Sequence, residues 1–168
     1  MGKLINVRTS DGTAHTNSTT EAVLDSVTIK AGTLQAGKVL RFRGKIRATA
    51  TNSTDTLTVN ASVHTSAATG GTAVGTSGAV DVADNDVVYY DIDLIPQSAA
   101  GSSAGTIEVH GTMSAPGAEG TATTRVVHQA LSSINYLADQ YFVISADWSV
   151  ASASNSCVAE SQVAEELI

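Results

Sequence analysis

The chain has 168 residues, of which 42% are hydrophobic and 15% are charged, and its formal net charge is −7. This length and apolar content predict one domain with a buried core, and no run approaches the roughly 18 apolar residues of a membrane-spanning helix. The single cysteine, Cys157, excludes an internal disulfide and a zinc site built on several cysteines. The first residues contain no apolar segment typical of a secretory signal, so we expect synthesis in a reducing cytoplasm.

The first half of the chain predicts strands separated by polar turns. Residues 1–20 are mostly polar, and we expect an arm or loop there, followed by a β-sandwich domain over residues 21–168. Residues 39–50 alternate between apolar and polar side chains, and residues 57–63 continue the pattern closely enough to form a hairpin. The Gly-rich segment 65–80 is predicted to be a long surface loop.

The second half continues the same alternation and contains no convincing helix. Runs at 88–94, 107–113, 123–131, 142–150 and 157–163 bring the total to eight or nine strands. Strands of this number, with turn residues between them, predict an all-β fold, either a sandwich or a barrel. We expect the following side chains to face the core: Leu40, Phe42, Ile46, Leu57, Val59, Val88, Tyr90, Ile92, Phe142, Ile144 and Trp148.

Sequence motifs for catalysis or cofactor binding are absent. There is no phosphate-binding loop, no HExxH and no GxSxG. The four histidines, His15, His64, His110 and His128, are not spaced like metal ligands, and solvated surface histidines are the simpler interpretation. We therefore expect no catalytic residue, no metal and no cofactor.

One acidic cluster is the main exception to that expectation. In DVADND (81–86), the oxygens of Asp81, Asp84, Asn85 and Asp86 are of the type that calcium prefers. The spacing differs from that of an EF-hand loop, and a calcium shell needs six or more oxygens. A polar turn leading into the next strand is therefore the favoured interpretation.

The most unusual feature is a run of basic residues on alternate positions of one predicted strand in an acidic chain. We call it the basic stripe, and its members are Arg41, Arg43, Lys45 and Arg47. It can track nucleic-acid phosphates, form a solvated strand face, or meet acidic groups of this chain or of a partner. We favour acidic groups, with Asp91 and Asp93 as candidates in this chain, so the stripe and these two residues are the candidate interface.

Three segments resemble virion proteins of tailed bacteriophages. They are TLQAGKVLRFRGKIRATATNSTDTLTVNASV (33–63), DVADNDVVYYDIDL (81–94) and DWSVASASNSCVAES (147–161), and the resemblance is scattered over residues 22–163. It implies a single antiparallel β-sandwich of the jelly-roll type. It also implies a structural virion protein, either a capsid decoration (cement) protein or a module of a head fibre or tail spike.

The resemblance also implies partners and a location. A decoration protein binds the major capsid protein at the outer surface of the phage head, and modules of this kind commonly form homotrimers. We expect neither nucleic acid nor a membrane as a partner. The alternative is a receptor- or carbohydrate-binding β-sandwich, for which Tyr89, Tyr136 and Tyr141 are the candidate aromatic platforms because Trp148 is expected to face the core.

Overall fold

Eleven strands organise the chain into two antiparallel sheets in a computed structural model that describes residues 2–51, 54–82, 85–116 and 122–167. In chain order the strands are β1 (Lys3–Arg8), β2 (His15–Thr16), β3 (Ala22–Ile29), β4 (Val39–Thr49), β5 (Thr56–His64), β6 (Thr72–Asp81), β7 (Asp86–Pro96), β8 (Gly105–Pro116), β9 (Ala122–Ile134), β10 (Gln140–Trp148) and β11 (Ser156–Leu167). Within these described ranges, no helix has the length and apolar character needed to span a membrane.

The two sheets pack face to face as a jelly-roll-like β-sandwich. The larger sheet has seven strands in the order β1-β11-β4-β7-β8-β9, with β2 also paired to β11. The smaller sheet has four strands in the order β3-β10-β5-β6. All neighbouring strands are antiparallel, so the all-β sandwich expected from the sequence is confirmed.

The core lies between the sheets, and the alternation of apolar side chains identifies it correctly. All eleven side chains expected to face inward are buried, which confirms that prediction. At the centre, Phe42 of the larger sheet stacks on Phe142 of the smaller sheet, with ring centroids 4.1 Å apart and an interplanar angle of 15°. Tyr90 of the larger sheet also packs against Phe142, with ring centroids 6.2 Å apart.

Two segments differ from the sequence-based expectation and raise the strand count from eight or nine to eleven. The segment 1–20, expected to be an arm or loop, contains β1 and β2, both of which pair with β11. The sequence predicts a long loop over residues 65–80, but most of this segment belongs to β6. Two register shifts between β5 and β6 interrupt the alternation of buried and exposed residues, and this hides the strand from a pattern of period two.

Candidate functional site

The outer face of the larger sheet carries the basic stripe in the middle of acidic side chains. The stripe lies on β4, which runs between β11 and β7. Arg41 lies opposite Glu165 of β11 and Asp93 of β7, and Arg43 lies opposite Asp91 of β7. Because directly opposite residues of an antiparallel pair point to the same face, this register places opposite charges side by side.

Arg41 makes the most directional of these contacts. Its Nε and Nη2 donate hydrogen bonds of 2.7 Å each to the two carboxylate oxygens of Asp93. Asp91 is farther away, with 3.7 Å between its Oδ1 and the Nε of Arg41. The hydrogen bonds to Asp93 raise the pKa of Arg41, and the charges of Asp91 and Glu165 act in the same direction. This bidentate geometry fixes the orientation of both side chains relative to each other.

Glu160 neutralises the other end of the stripe. A register shift in β11 between Ala159 and Ser161 makes Glu160 an extra residue opposite β4. Its carboxylate accepts a hydrogen bond from the Nε of Arg47 and lies 2.6 Å from the ammonium group of Lys45. Hydrogen bonds from these two cations, that from Lys45 first, lower the pKa of Glu160.

Every basic residue of the stripe therefore has a carboxylate partner within the chain. Arg43 donates a 2.8 Å hydrogen bond to Glu165, and Arg47 also contacts Asp11 at 3.2 Å. A phosphate approaching the stripe has to compete with these carboxylates. The arrangement matches acidic groups of this chain, one of the three interpretations of the stripe, and weakens the case for a nucleic-acid track.

Beside the stripe, the outer face contains a shallow depression with one exposed aromatic ring. It forms around Gly44, which has no side chain, and its lining includes Tyr89, Asp91, Thr112 and Ser114. Tyr89 is 53% exposed. The depression thus combines an accessible ring with hydroxyl and carboxylate groups, a composition that suits a polar ligand with an apolar face.

The other aromatic side chains considered as platforms are less accessible. Tyr136 is buried, and its hydroxyl donates to the backbone carbonyl of Thr106. Tyr141 is half-buried and belongs to the smaller sheet. Trp148 is buried in the core, as its position on the apolar face of β10 predicted.

Two histidines that are distant in sequence meet on the outer face of the β8–β9 hairpin. His110 and His128 are directly opposite each other, with ring centroids 4.7 Å apart in a T-shaped arrangement. Glu108 lies two residues before His110 on the same face, and the three side chains form the one group of potential metal ligands found within the described ranges. Sequence spacing cannot reveal this pair, because it depends on the register of the hairpin.

The acidic cluster DVADND divides between two strands. Asp81 ends β6 and Asp86 begins β7, while Asn85 between them has a positive φ of 63°. Asp84, the fourth member of the candidate calcium set, lies outside the described residues.

Comparison with known proteins gives structural neighbours of low similarity. No protein-family model matches the sequence, and no curated protein matches it. The lectin UEA-II complexed with galactose is 11% identical with a TM-score of 0.41, over 84% of this chain and 78% of that chain. The VP2 subviral particle of infectious bursal disease virus is 16% identical with a TM-score of 0.33, over 97% of this chain and 41% of that one.

A phage protein is also among these neighbours. The CBM2 module of the evolved Dit of Lactobacillus casei BL23 phage J-1 is 9% identical with a TM-score of 0.29, over 83% of this chain and 67% of that chain. At these identities and scores, the likenesses carry no functional argument.

Proposed function

We propose that this protein is a structural virion protein, a decoration protein that binds the major capsid protein on the outside of a tailed-phage head. In this proposal the chain acts as a β-sandwich binding module and not as an enzyme. The sequence resemblance described above supports the virion setting, and the outer face of the larger sheet supports the binding role.

The observation that carries the binding role is an uncharged patch on that face, beside the paired charges. We call it the hydroxyl patch, and it consists of Thr112 and Ser114 on β8 with Thr124 and Val126 on β9. Val126 is 79% exposed. Burying such a surface does not remove any charged group from water. The patch is therefore easier to bury against a partner than a charged surface of the same size.

The basic stripe and its acidic partners have a different role in this proposal. Because the charges already pair within the chain, they add little attraction for a partner, but they present a fixed pattern of positive and negative groups. Such a pattern sets orientation and partner choice more than affinity. A coat protein with a complementary pattern orients the module, while the hydroxyl patch provides the contact area.

Self-association, as a homotrimer, is part of the same proposal. The resemblance to phage modules supports it, and attachment at a repeated site of a shell favours a symmetric unit. Light scattering of the isolated chain measures its mass directly. A trimer agrees with the proposal, whereas a strict monomer removes the self-association but leaves attachment to be tested separately.

Co-sedimentation with phage particles that lack the protein tests attachment. Wild-type protein should pellet with the particles in a saturable manner. Val126→Asp should weaken attachment by at least about tenfold, since a buried unpaired carboxylate costs more than 1.4 kcal/mol. Val150→Asp is the matched control, because Val150 is also exposed but lies in the loop after β10. Failure of the wild-type protein to pellet would contradict the decoration role.

A carbohydrate- or receptor-binding module is the second candidate, and the depression beside Tyr89 is the observation that favours it. An exposed ring flanked by hydroxyl and carboxylate groups is a suitable surface for a sugar. A glycan array distinguishes the two candidates. Specific binding that disappears in Tyr89→Ala supports the second candidate, whereas no binding to any glycan leaves capsid attachment as the function to test.

A further inference from the structure

We propose that Glu108, His110 and His128 form a binding site for a divalent transition-metal ion, with Zn²⁺ as the physiological candidate. The site lies on the outer face of the β8–β9 hairpin. It is independent of the proposed function, because its evidence is the position of three ligand-type side chains and does not depend on what the protein attaches to.

The β8–β9 backbone holds the three side chains together. His110 and His128 are paired across the two strands, and residues in such a pair project from the same face. Glu108 projects from that face too, because residues two apart on a strand share a side. The residue opposite Glu108 is Ala130, which has only a methyl side chain, and Glu108 itself is exposed. Strand pairing therefore brings the ligands together without needing a loop to fold around the ion.

The distances between the three ligand atoms are close to the ligand–ligand distances found around a bound zinc ion. One nitrogen or oxygen from each residue lies within 4.8 Å of the other two. Zinc binds imidazole nitrogen and carboxylate oxygen at about 2.0–2.2 Å, which places tetrahedral ligands about 3.4 Å apart. Closing a remaining gap of at most about 1.4 Å requires only rotations of exposed side chains, because all three residues are exposed.

Neighbouring side chains leave this ligand set intact. Gln97 donates a hydrogen bond of 3.3 Å to one oxygen of Glu108, which orients the carboxylate and leaves its other oxygen available. Asp93 lies opposite His110 on the other side, but Arg41 holds both of its oxygens. The protein thus offers two imidazoles and one carboxylate.

This ligand set selects a class of ion. Imidazole ligands favour zinc, copper and nickel over magnesium and calcium, which prefer shells built only from oxygen. With three protein ligands, a tetrahedral ion keeps one position for water or for a group from another molecule. The DVADND cluster is chemically different, because its side chains provide only oxygens.

Calorimetric titration of the full chain, without a polyhistidine tag, with ZnCl₂ tests the site. We expect one Zn²⁺ per chain. His128→Ala and Glu108→Gln should each weaken binding by at least about tenfold, because even the loss of a residue that only supports a ligand costs 10–100-fold. His64→Ala is the matched control and should bind like the wild type, since His64 lies on β5 in the other sheet.

Two further measurements distinguish a defined site from non-specific binding of metal to surface histidines. Co²⁺ in place of Zn²⁺ should give visible absorption bands that His128→Ala changes and His64→Ala does not. Zinc should also raise the melting temperature of the wild type more than that of Glu108→Gln, an isosteric variant. The proposal is overturned by the absence of zinc binding, by unchanged affinity in both site variants, or by an equal loss in His64→Ala.

Discussion

Truncation of Phe42 tests how the two sheets are held together. Phe42 is fully buried on the larger sheet and stacks on Phe142 of the smaller sheet at 4.1 Å. Phe42→Ala removes a whole ring from the middle of the sandwich, where strands on both sides restrict collapse into the cavity. Substitutions of this kind cost about 3–5 kcal/mol. Of that amount, about 0.5–1.5 kcal/mol belongs to the ring–ring contact itself.

Equilibrium unfolding in urea measures this cost. With a denaturant slope near 3 kcal/mol per molar for a chain of this size, the midpoint should fall by about 1–2 M while the slope stays unchanged. Phe42→Leu is the control, because it keeps most of the volume and should cost under about 1.5 kcal/mol. A loss below about 1 kcal/mol in Phe42→Ala, or equal losses in the two variants, would refute the packing described here.

Three other predictions follow from single sites. Burial raises the pKa of the Cys157 thiol to about 12, so a thiol-specific disulfide reagent at pH 8 should label Cys157 only as fast as the protein unfolds; rapid labelling of the folded protein would contradict this. Hydrogen bonds from Lys45 and Arg47 lower the pKa of Glu160 in the folded protein below its ordinary value of 4.5. The ion pairs of Glu160 therefore stabilise the fold fully above pH 4.5, and this stabilisation is lost as the pH falls through the lowered pKa. The urea midpoint of Glu160→Gln should therefore be lower than that of the wild type at pH 7, and the difference should shrink as the pH falls below 4.5. A difference that stays constant or grows on acidification would contradict the ion pairs. A Cβ atom on Gly111 would lie 2.2 Å from the carbonyl oxygen of Asp91, so Gly111→Ala should cost about 3 kcal/mol or more in the same assay, and a neutral effect would show that β7 and β8 are farther apart.

The core could be predicted from the sequence because one rule decides it. Alternate residues of a strand face opposite sides, so the runs through Phe42, Tyr90 and Ile144 identify the buried face without knowledge of strand order. The same rule predicts that the basic stripe projects from one face. Burial of Trp148, which removes it as a sugar platform, follows in the same way.

Features that depend on register could not be predicted. The pairing of His110 with His128 requires knowledge of how β8 and β9 align across their connection. The role of Glu160 depends on a bulge in β11, which gives no signal in the pattern of residue types. Irregular pairing also hid β6, where Gly75 is needed because a Cβ there would lie 2.7 Å from a methyl group of Val127.

The outer face of the larger sheet therefore contains three adjacent regions with different chemistry. The stripe and its partners form a neutralised array of charges, the hydroxyl patch offers an uncharged surface, and Glu108 with the two histidines provides metal ligands. Strand order alone brings them together, since β4, β7, β8 and β9 are consecutive in the sheet. Substitutions in one region should act on one property, which allows the proposals to be tested separately.

The most direct test of the decoration role is the composition of purified phage particles, measured by mass spectrometry together with electron microscopy. The decoration role predicts that this chain is present in many copies, in a fixed ratio to the major capsid protein, and that its density lies on the outside of the head. Absence of the chain from the particle would contradict the role. A few copies confined to the tail would contradict it too, and would favour the receptor-binding alternative.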